Sequence, residues 1–532
     1  MNSSHKEGTV TKKRKIGFSL IGAGIVLALG LAVAGCSDIF TQPKPTEPVT
    51  LGTADGGLTR HDYLALLKTQ DNHKVSVEAL QEMASTLLQT NKIARSVAPA
   101  GSVITGTKQL TSLGGKHFTS SGSARSAVAV EEEPIELYEL TIGDPEGDDA
   151  GFILASNDDR VGNFLAIAEG SLEEINEDFA AILNENLAAY IDETIAMYDR
   201  ITDADIEAAI EKAIAEESDG ARTLSTHWNG IDNNWHAIGC ASDFTPIKDA
   251  LIKTKWGQGA PYSKYINARV YDYGYVTGCT VTAIAQIVAY YGHLKSTTPY
   301  KAGNFNNSSF NNAYAGVWNG TYDWANLKAG YLNSDALKGQ AAALMWQVGS
   351  NVKAKFYDNK GSTVTPIFDA DQPLYTGFKN MGYQLFGYNF FNKGMFHATE
   401  IVDGNLGSII FYDNNSPSLV IAGLLNDLPI LMYGATMDNT NAHSWVIDGL
   451  GAMTYYLEVL QYGQTNLTSA VLVTLNNSMM VHCNYGWNGQ GNGWYVYGLF
   501  DTGNKLLVGG TDQGGPSYNF SRNVKITIPI PE

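Results

Sequence analysis

Apolar residues recur along the chain with two distinct periods, and the period changes with position. In "VSVEALQEMASTLLQ" the apolar positions Val77, Leu80, Met83 and Leu87 fall on one face of a helix. "PIELYELTIGDPEGDDAGFILASND" reads instead as two strands around a turn: Leu137, Glu139 and Thr141 alternate with Tyr138, Leu140 and Ile142, and "DPEGDD" supplies the turn residues. Helical spacing returns in "SLEEINEDFAAILNENLAAYIDETIAMYD" and "DADIEAAIEKAIAEES". These elements predict a small α+β domain over residues 58–217. From 218 to 244 the pattern disappears into Gly, Asn and Asp, which reads as a linker. Beyond it come short strands rich in glycine and tyrosine, with helices predicted at 279–291 and around "DALKGQAAALMWQVGSNV".

At 532 residues and 57.4 kDa the chain exceeds one ordinary core. The net charge of −19 argues against nucleic acid as a partner. It is also concentrated: residues 131–219 hold 27 of the 54 acidic residues against only Arg160, Arg200 and Lys212, whereas residues 230–532 carry 17 basic and 19 acidic ones. The acid therefore belongs to the N-terminal segment, which points to separate roles for the two halves.

The N-terminus reads as an export signal. Lys12, Lys13, Arg14 and Lys15 precede the apolar "IGFSLIGAGIVLALGLAVA", which closes on Val33-Ala34-Gly35-Cys36. This resembles a bacterial lipoprotein signal with Cys36 as the lipidated residue; an uncleaved membrane anchor is the alternative. Residues 37–57, rich in Pro, Thr and Gly, are expected to be a tether. Three cysteines remain, Cys240, Cys279 and Cys483. An odd number in an exported chain leaves at least one thiol free or paired with another molecule.

Chemistry concentrates in four stretches. In "TGCTVTAIAQIVAYYGH", Val281, Ile284, Ala285, Val288 and Tyr291 mark a helix that Gly292 ends. Cys279 then sits at the helix start, where free N–H groups and the helix dipole favour a thiolate, and Gly278 admits close approach of another backbone. The competing reading of Cys279 is a small core residue. In "LPILMYGATMDNTNAHSWVIDG", His443 opens a strand and shares a face with Trp445 and Ile447. A histidine there is either general base or ordinary polar surface. In "MMVHCNYGWNGQGNGWYVYG", alternation places His482 and Asn484 on one face and Cys483 on the other, which argues against a Cys483–His482 dyad. Asn484 has the chemistry to accept a histidine N–H and fix its tautomer. Cys483 is a core thiol or a disulfide partner of Cys240. "GQGNG" lacks the lysine of a phosphate loop. Finally, Gln258 in "TKWGQGAPY" is a candidate oxyanion donor.

In this order, "WGQGAPY", "TGCTVTAIAQIVAYYGH", "YDWANL", "LPILMYGA", "AHSWVIDG" and "HCNYGWNGQGNGWY" resemble the streptopain family of papain-like cysteine peptidases. The resemblance implies an α+β, papain-like two-subdomain peptidase over residues 245–532, preceded by a small α+β propeptide domain over 58–217. It implies Cys279 as nucleophile, His443 as base and acid, Asn484 as histidine orienter and Gln258 as oxyanion donor, with no metal or cofactor. Gly278, Tyr485 and Trp487 are assigned to substrate binding or to shielding the site. Substrates would be proteins with an apolar residue two positions before the scissile bond. The acidic segment resembles the family's propeptide, so it is expected to inhibit the site until cleavage near Arg222. Because Cys36 lies on the propeptide side, that cleavage would release the catalytic domain from the membrane. One departure stands out: the family's tryptophan after the asparagine is Tyr485 here. The rival expectations are a catalytically weak lipoprotein that binds host or envelope partners, and an amidase or transpeptidase acting on cell-wall peptides.

Overall fold

A computed structural model describes residues 60–69, 73–90, 101–113, 134–144, 149–217, 235–267, 276–295, 321–357, 373–389, 395–402, 405–412, 416–436, 441–461, 471–500 and 525–531, with a few short pieces between them. The basic and apolar N-terminal signal with Cys36, the tether at 37–57 and the expected cleavage region near Arg222 lie outside the described residues.

The acidic N-terminal segment folds as α1 (Arg60–Leu67), α2 (Val77–Thr90), β1 (Val103–Leu110), β2 (Leu137–Gly143), β3 (Asp149–Ser156), β4 (Phe164–Glu169), α3 (Glu177–Arg200) and α4 (Asp203–Glu217). The apolar stripe of α2 does what its spacing predicts, burying Leu80 and Leu87 with Val77 and Met83 packed at the margin. β2 and β3 pair antiparallel across the expected turn, from Leu137 opposite Ser156 to Gly143 opposite Asp149. Yet β2 is buried on both faces, Glu139 included, so its alternation does not separate core from solvent. The Glu139 carboxylate accepts the Leu172 N–H at 3.0 Å, and burial is the main influence raising its pKa.

The C-terminal half supplies β5 (Trp235–Lys248), α5 (Cys279–Tyr291), α6 (Asp335–Asn351), α7 (Pro373–Met381), β6 (Tyr383–Asn389), β7 (Met395–Val402), β8 (Asn405–Tyr412), α8 (Ser416–Leu425), β9 (Ile430–Ala435), β10 (Ala442–Gln461), β11 (Val471–Asn484), β12 (Gly493–Val496) and β13 (Lys525–Pro531). These thirteen strands join one antiparallel sheet in the order β1-β2-β3-β4-β12-β11-β10-β9-β13-β6-β7-β8, with β5 laid along β10. The chain is therefore α+β as expected, but the two expected domains share a sheet. β4 pairs with β12 through Ala168 opposite Gly493, Ile167 opposite Trp494 and Ala166 opposite Tyr495. Gly493 permits this joint, since a Cβ there would lie 2.3 Å from the Ile167 carbonyl oxygen.

Two cores lie on opposite faces of the central strands. Ile430, Met432, Trp445 and Ile447 face a core shared with the N-terminal segment, whereas Leu431 and Val446 face a second core built on α5, α6 and α7. Strand alternation accounts for the division. The sheet thus separates the N-terminal helix α3 from the cysteine-bearing helix α5.

Part of the expected linker is a strand. β5 begins at Trp235 and runs beside the outer half of β10, pairing Trp235 with Gln461 and Phe244 with Met453. Gly, Ser and Asp within "AIGCASDF" give no strand period; the pairing edge of β10 imposes the conformation, as tertiary context does for weak strand formers. The outer half of β10, antiparallel to β11 from Leu450 opposite Val481 to Val459 opposite Val471, provides this edge. The register also decides between the two readings of Cys483. Cys240 stands opposite Leu457 and Cys483 opposite Ile447. Ten residues of strand separate them by about 33 Å, far beyond the ~7 Å Cα limit of a disulfide. Cys483 is a free, buried thiol.

Candidate active site

Helix α5 is mostly apolar, and residues Thr280 through Ala289 are buried. Its N-cap is Gly278 at φ 83°, a left-handed conformation suited to glycine, and no side chain caps the first turn. Thr282 ties the turn down, its hydroxyl donating to the Gly278 carbonyl at 2.9 Å and lying 2.7 Å from the Thr277 hydroxyl. At the other end Gly292, at φ 64°, donates its N–H to the Val288 carbonyl and ends the helix, as its position predicts. Cys279 is the first residue of the helix and only partly buried. Its thiol therefore stands at the positive end of the dipole with an open side.

The segment carrying Gln258 reaches the same place. Its backbone carbonyl accepts the Thr277 N–H at 2.9 Å and the Thr277 hydroxyl at 3.3 Å, fixing Gln258 to the residue two before Cys279. A second link comes from β10, where the Ser444 hydroxyl lies 2.8 Å from that of Thr280. Tyr433 stands opposite Ser444 on β9. Its phenol is pushed above the ordinary value mainly by burial, and further by charge on Cys279. Sequence reading gave Tyr433 no role; only the cross-strand register brings it to this face.

His443 begins β10 with Trp445 and Ile447, as the alternation predicts, but that face turns away from α5. The imidazole is 2 % exposed, and its Nε2–H donates to the Tyr485 carbonyl at 3.1 Å rather than to the thiol. It stacks on Trp487 with centroids 4.2 Å apart and is flanked by Trp445, Tyr485 and Phe179. Phe179 comes from α3 of the N-terminal segment and closes the aromatic cluster, 3.9 Å from Tyr485 and 5.6 Å from Trp487. Burial pushes the His443 pKa down to about 3, and the carbonyl contact offsets only part of this. The ring is neutral across the physiological range.

Asn484 is not joined to His443. Its Oδ1 accepts from Gln286 Nε2 at 3.0 Å and from the Gly486 N–H at 3.2 Å, and its Nδ2 donates to the Thr254 carbonyl at 2.7 Å. Tyr485 is fully buried. Its N–H donates to Asn492 Oδ1 at 2.9 Å, while its hydroxyl is coupled to the Cys483 thiol and the Tyr495 hydroxyl without a hydrogen bond of ordinary geometry. The structure thus brings Cys279, Gly278 and Gln258 together at the head of α5. It gathers His443, Tyr485 and Trp487 under Phe179 and holds Asn484 between the two groups.

A second histidine pairs differently. His482 Nδ1 lies 2.6 Å from Asp448 Oδ1, and the other carboxylate oxygen of Asp448 accepts the Ile252 N–H at 2.8 Å. Cys483 is completely buried, and burial pushes its thiol pKa well up. Among the described residues no cluster of His, Cys, Asp and Glu is arranged to hold a metal.

A cysteine at a helix start and a histidine at a strand start, with an asparagine and a glutamine nearby, are the residue types of a cysteine-peptidase site. Residues 256–495 match the Peptidase C10 family, the streptopain family of cysteine peptidases. No curated protein matches the chain. Among solved structures it is similar to a fragment of Prevotella intermedia prointerpain A, with 19% identity, a TM-score of 0.41, and coverage of 74% of this chain and 94% of that one. It is also similar to active wild-type interpain A cysteine protease of the same organism, with 20% identity, a TM-score of 0.32, and coverage of 53% and 93%.

Proposed function

We propose that the chain is the latent precursor of an exported cysteine endopeptidase, with residues 58–217 as the inhibitory propeptide and residues 245–532 as the peptidase. One observation carries this reading: Phe179 of the N-terminal segment seals His443 in an apolar cluster where the imidazole is neutral and bonded to the Tyr485 carbonyl. A cysteine peptidase needs the opposite state, an imidazolium beside a thiolate. Removal of α3 exposes His443 to water, raises its pKa toward the ordinary value and frees the ring to turn to Cys279.

In the opened enzyme the Cys279 thiolate attacks the substrate carbonyl carbon. The Gln258 amide and the Cys279 N–H stabilise the oxyanion, and His443 delivers its proton to the leaving amine. His443 then takes a proton from water, which hydrolyses the acyl-enzyme and restores the thiolate. Asn484 is the candidate to hold the imidazole, once it exchanges a present partner for the ring N–H. Gly278 keeps the approach to Cys279 open, and Tyr485 and Trp487 shield the histidine side.

Cleavage falls in the 218–234 stretch, near Arg222, because β5 is paired along β10 from Trp235 onward and stays with the peptidase. With lipid on Cys36 as membrane anchor and residues 37–57 as tether, that cut frees the peptidase from the anchored propeptide. Substrates are proteins with an apolar residue two positions before the cut.

Residues 37–532 and a Cys279→Ser twin, incubated under mild reduction, test this reading. Wild type is expected to trim itself to about the C-terminal 300 residues, a length near that of two small domains, and to digest casein, while the twin stays intact. Cleavage of cell-wall peptides in place of casein would favour the amidase reading. Inertness of both, even after the 218–234 stretch is nicked, would favour a binding lipoprotein.

A further inference from the structure

Gln286 lies on α5 about two turns beyond Cys279 and on the same side of the helix. It is completely buried in an otherwise apolar segment. Each polar atom of its carboxamide is used. Oε1 accepts the Thr254 hydroxyl at 2.8 Å and the Trp256 N–H at 3.2 Å, and Nε2 donates to Asn484 Oδ1 at 3.0 Å. Asn484 closes the ring by donating to the Thr254 carbonyl at 2.7 Å. Gly486 completes the close approach: its N–H donates to Asn484 Oδ1, and a Cβ there would lie 2.9 Å from Thr282 of α5.

Three separate parts of the chain meet at this amide. The helix starting at Cys279 provides it, the segment from Thr254 to Trp256 leads directly into Gln258, and Asn484 precedes Tyr485, whose carbonyl holds His443. Burying a glutamine in an apolar helix is costly unless its hydrogen bonds are made, so a leucine would fill this position more simply for packing alone. An amide with one acceptor and one donor end does something a leucine cannot. It fixes which way the Asn484 carboxamide points, because the Nε2–H meets the Asn484 oxygen and the Thr254 carbonyl takes the Asn484 N–H.

We propose that Gln286 is a positioning residue of the peptidase site, setting the Asn484 carboxamide and the Gln258 segment in register with the Cys279 helix. This rests on the peptidase reading. It makes no contact with substrate and acts through Asn484 and the 254–258 segment. When His443 turns inward, Asn484 Oδ1 exchanges the longer Gly486 contact for the imidazole N–H, while Gln286 keeps the carboxamide from flipping its nitrogen toward the ring.

Two variants of the full exported chain test this, each processed in trans by a trace of wild-type enzyme, then purified from it and assayed for kcat and KM across pH. Gln286→Leu removes both ends of the amide. Its kcat is expected to fall about ten- to hundredfold at every pH with KM little changed, the usual cost of losing a supporting shell behind reacting groups. Gln286→Glu keeps a donor O–H only while protonated. Its kcat is expected to approach wild type on the acid side and to drop ~tenfold or more as the carboxyl ionises, a limb absent from the wild-type profile. If Gln286→Leu does not fold, the added limb in Gln286→Glu carries the test. Both folded variants matching the wild-type kcat and pH profile, or a Gln286→Glu profile of wild-type shape, would overturn the role of Gln286 while leaving the peptidase intact. A wild-type chain that processes nothing and turns over no peptide would overturn both.

Discussion

The rings of Phe179 and Tyr485 pack with centroids 3.9 Å apart, and Phe179 lies on a helix of the N-terminal segment while Tyr485 follows the site asparagine. This contact joins the acidic segment to the histidine side of the site. Phe179→Ala opens the cluster at a cost on the order of 3–5 kcal/mol, the range for a buried phenylalanine. Self-processing followed by gel is expected to be several-fold faster than in wild type. An unchanged rate in a folded variant would remove Phe179 from the inhibitory contact.

The joint between β4 and β12 predicts a second effect. A methyl group at Gly493 meets the Ile167 carbonyl at 2.3 Å and the Ala168 Cα at 2.4 Å, so Gly493→Ala forces the two strands apart. In the Cys279→Ser background, where self-cleavage is absent, limited proteolysis should degrade residues 58–217 markedly faster than in the parent. Equal protection would mean that the shared sheet does not hold the propeptide.

The buried Tyr485 hydroxyl makes no hydrogen bond of ordinary geometry and has only the Cys483 thiol and the Tyr495 hydroxyl as polar neighbours among the described residues. Tyr485→Phe removes that burden and keeps the ring stacked near Phe179 and Trp487. The thermal midpoint is expected to rise, corresponding to about 1 kcal/mol, with self-processing retained. A fall in the midpoint would show that the hydroxyl contributes to the fold.

Acid should loosen the latch at His443. Its pKa in the closed state is held near 3 by burial, below the ordinary value of about 6.5. The closed state therefore binds fewer protons than the opened one. Its advantage is complete above about pH 6.5 and is lost by about 1.4 kcal/mol per unit as pH falls toward 3. Glu169, at the end of β4, works in the other direction: burial raises its carboxyl pKa despite the Lys255 partner at 2.6 Å, so protonation favours the closed state. The protection factor of α3 from hydrogen exchange in the Cys279→Ser chain, which divides out the intrinsic pH dependence of exchange, should fall between pH 6.5 and 4.5, and more steeply with Glu169→Gln. A protection factor that is constant or rises at acid pH in that double variant would contradict the assignment to His443.

How far the sequence foretold this depends on how local each signal is. The α5 helix was legible because its apolar spacing and its glycine end lie within one short stretch, and the face shared by His443, Trp445 and Ile447 followed from strand alternation. β5 was not legible, since its conformation comes from pairing with residues over two hundred positions away on β10. Phe179 looked like one apolar position on an acidic helix; only the β4–β12 joint carries that helix to the histidine. Gln286 carried no sequence reading, because its role depends on partners that come from two other segments. The alternatives for Cys483 needed the strand register to separate them.

The most direct test of the central claim is the rate at which Cys279 reacts with iodoacetamide across pH, read by intact mass, before and after removal of the propeptide. The closed chain should react slowly at acid pH, with a rate that rises steadily as the thiol ionises. After removal the rate should become high and nearly flat from about pH 5 to 8, as for a thiolate paired with an imidazolium, and His443→Ala should abolish that plateau. A slow, ordinary profile persisting after the propeptide is gone would contradict the account, because it would mean that His443 does not return to Cys279.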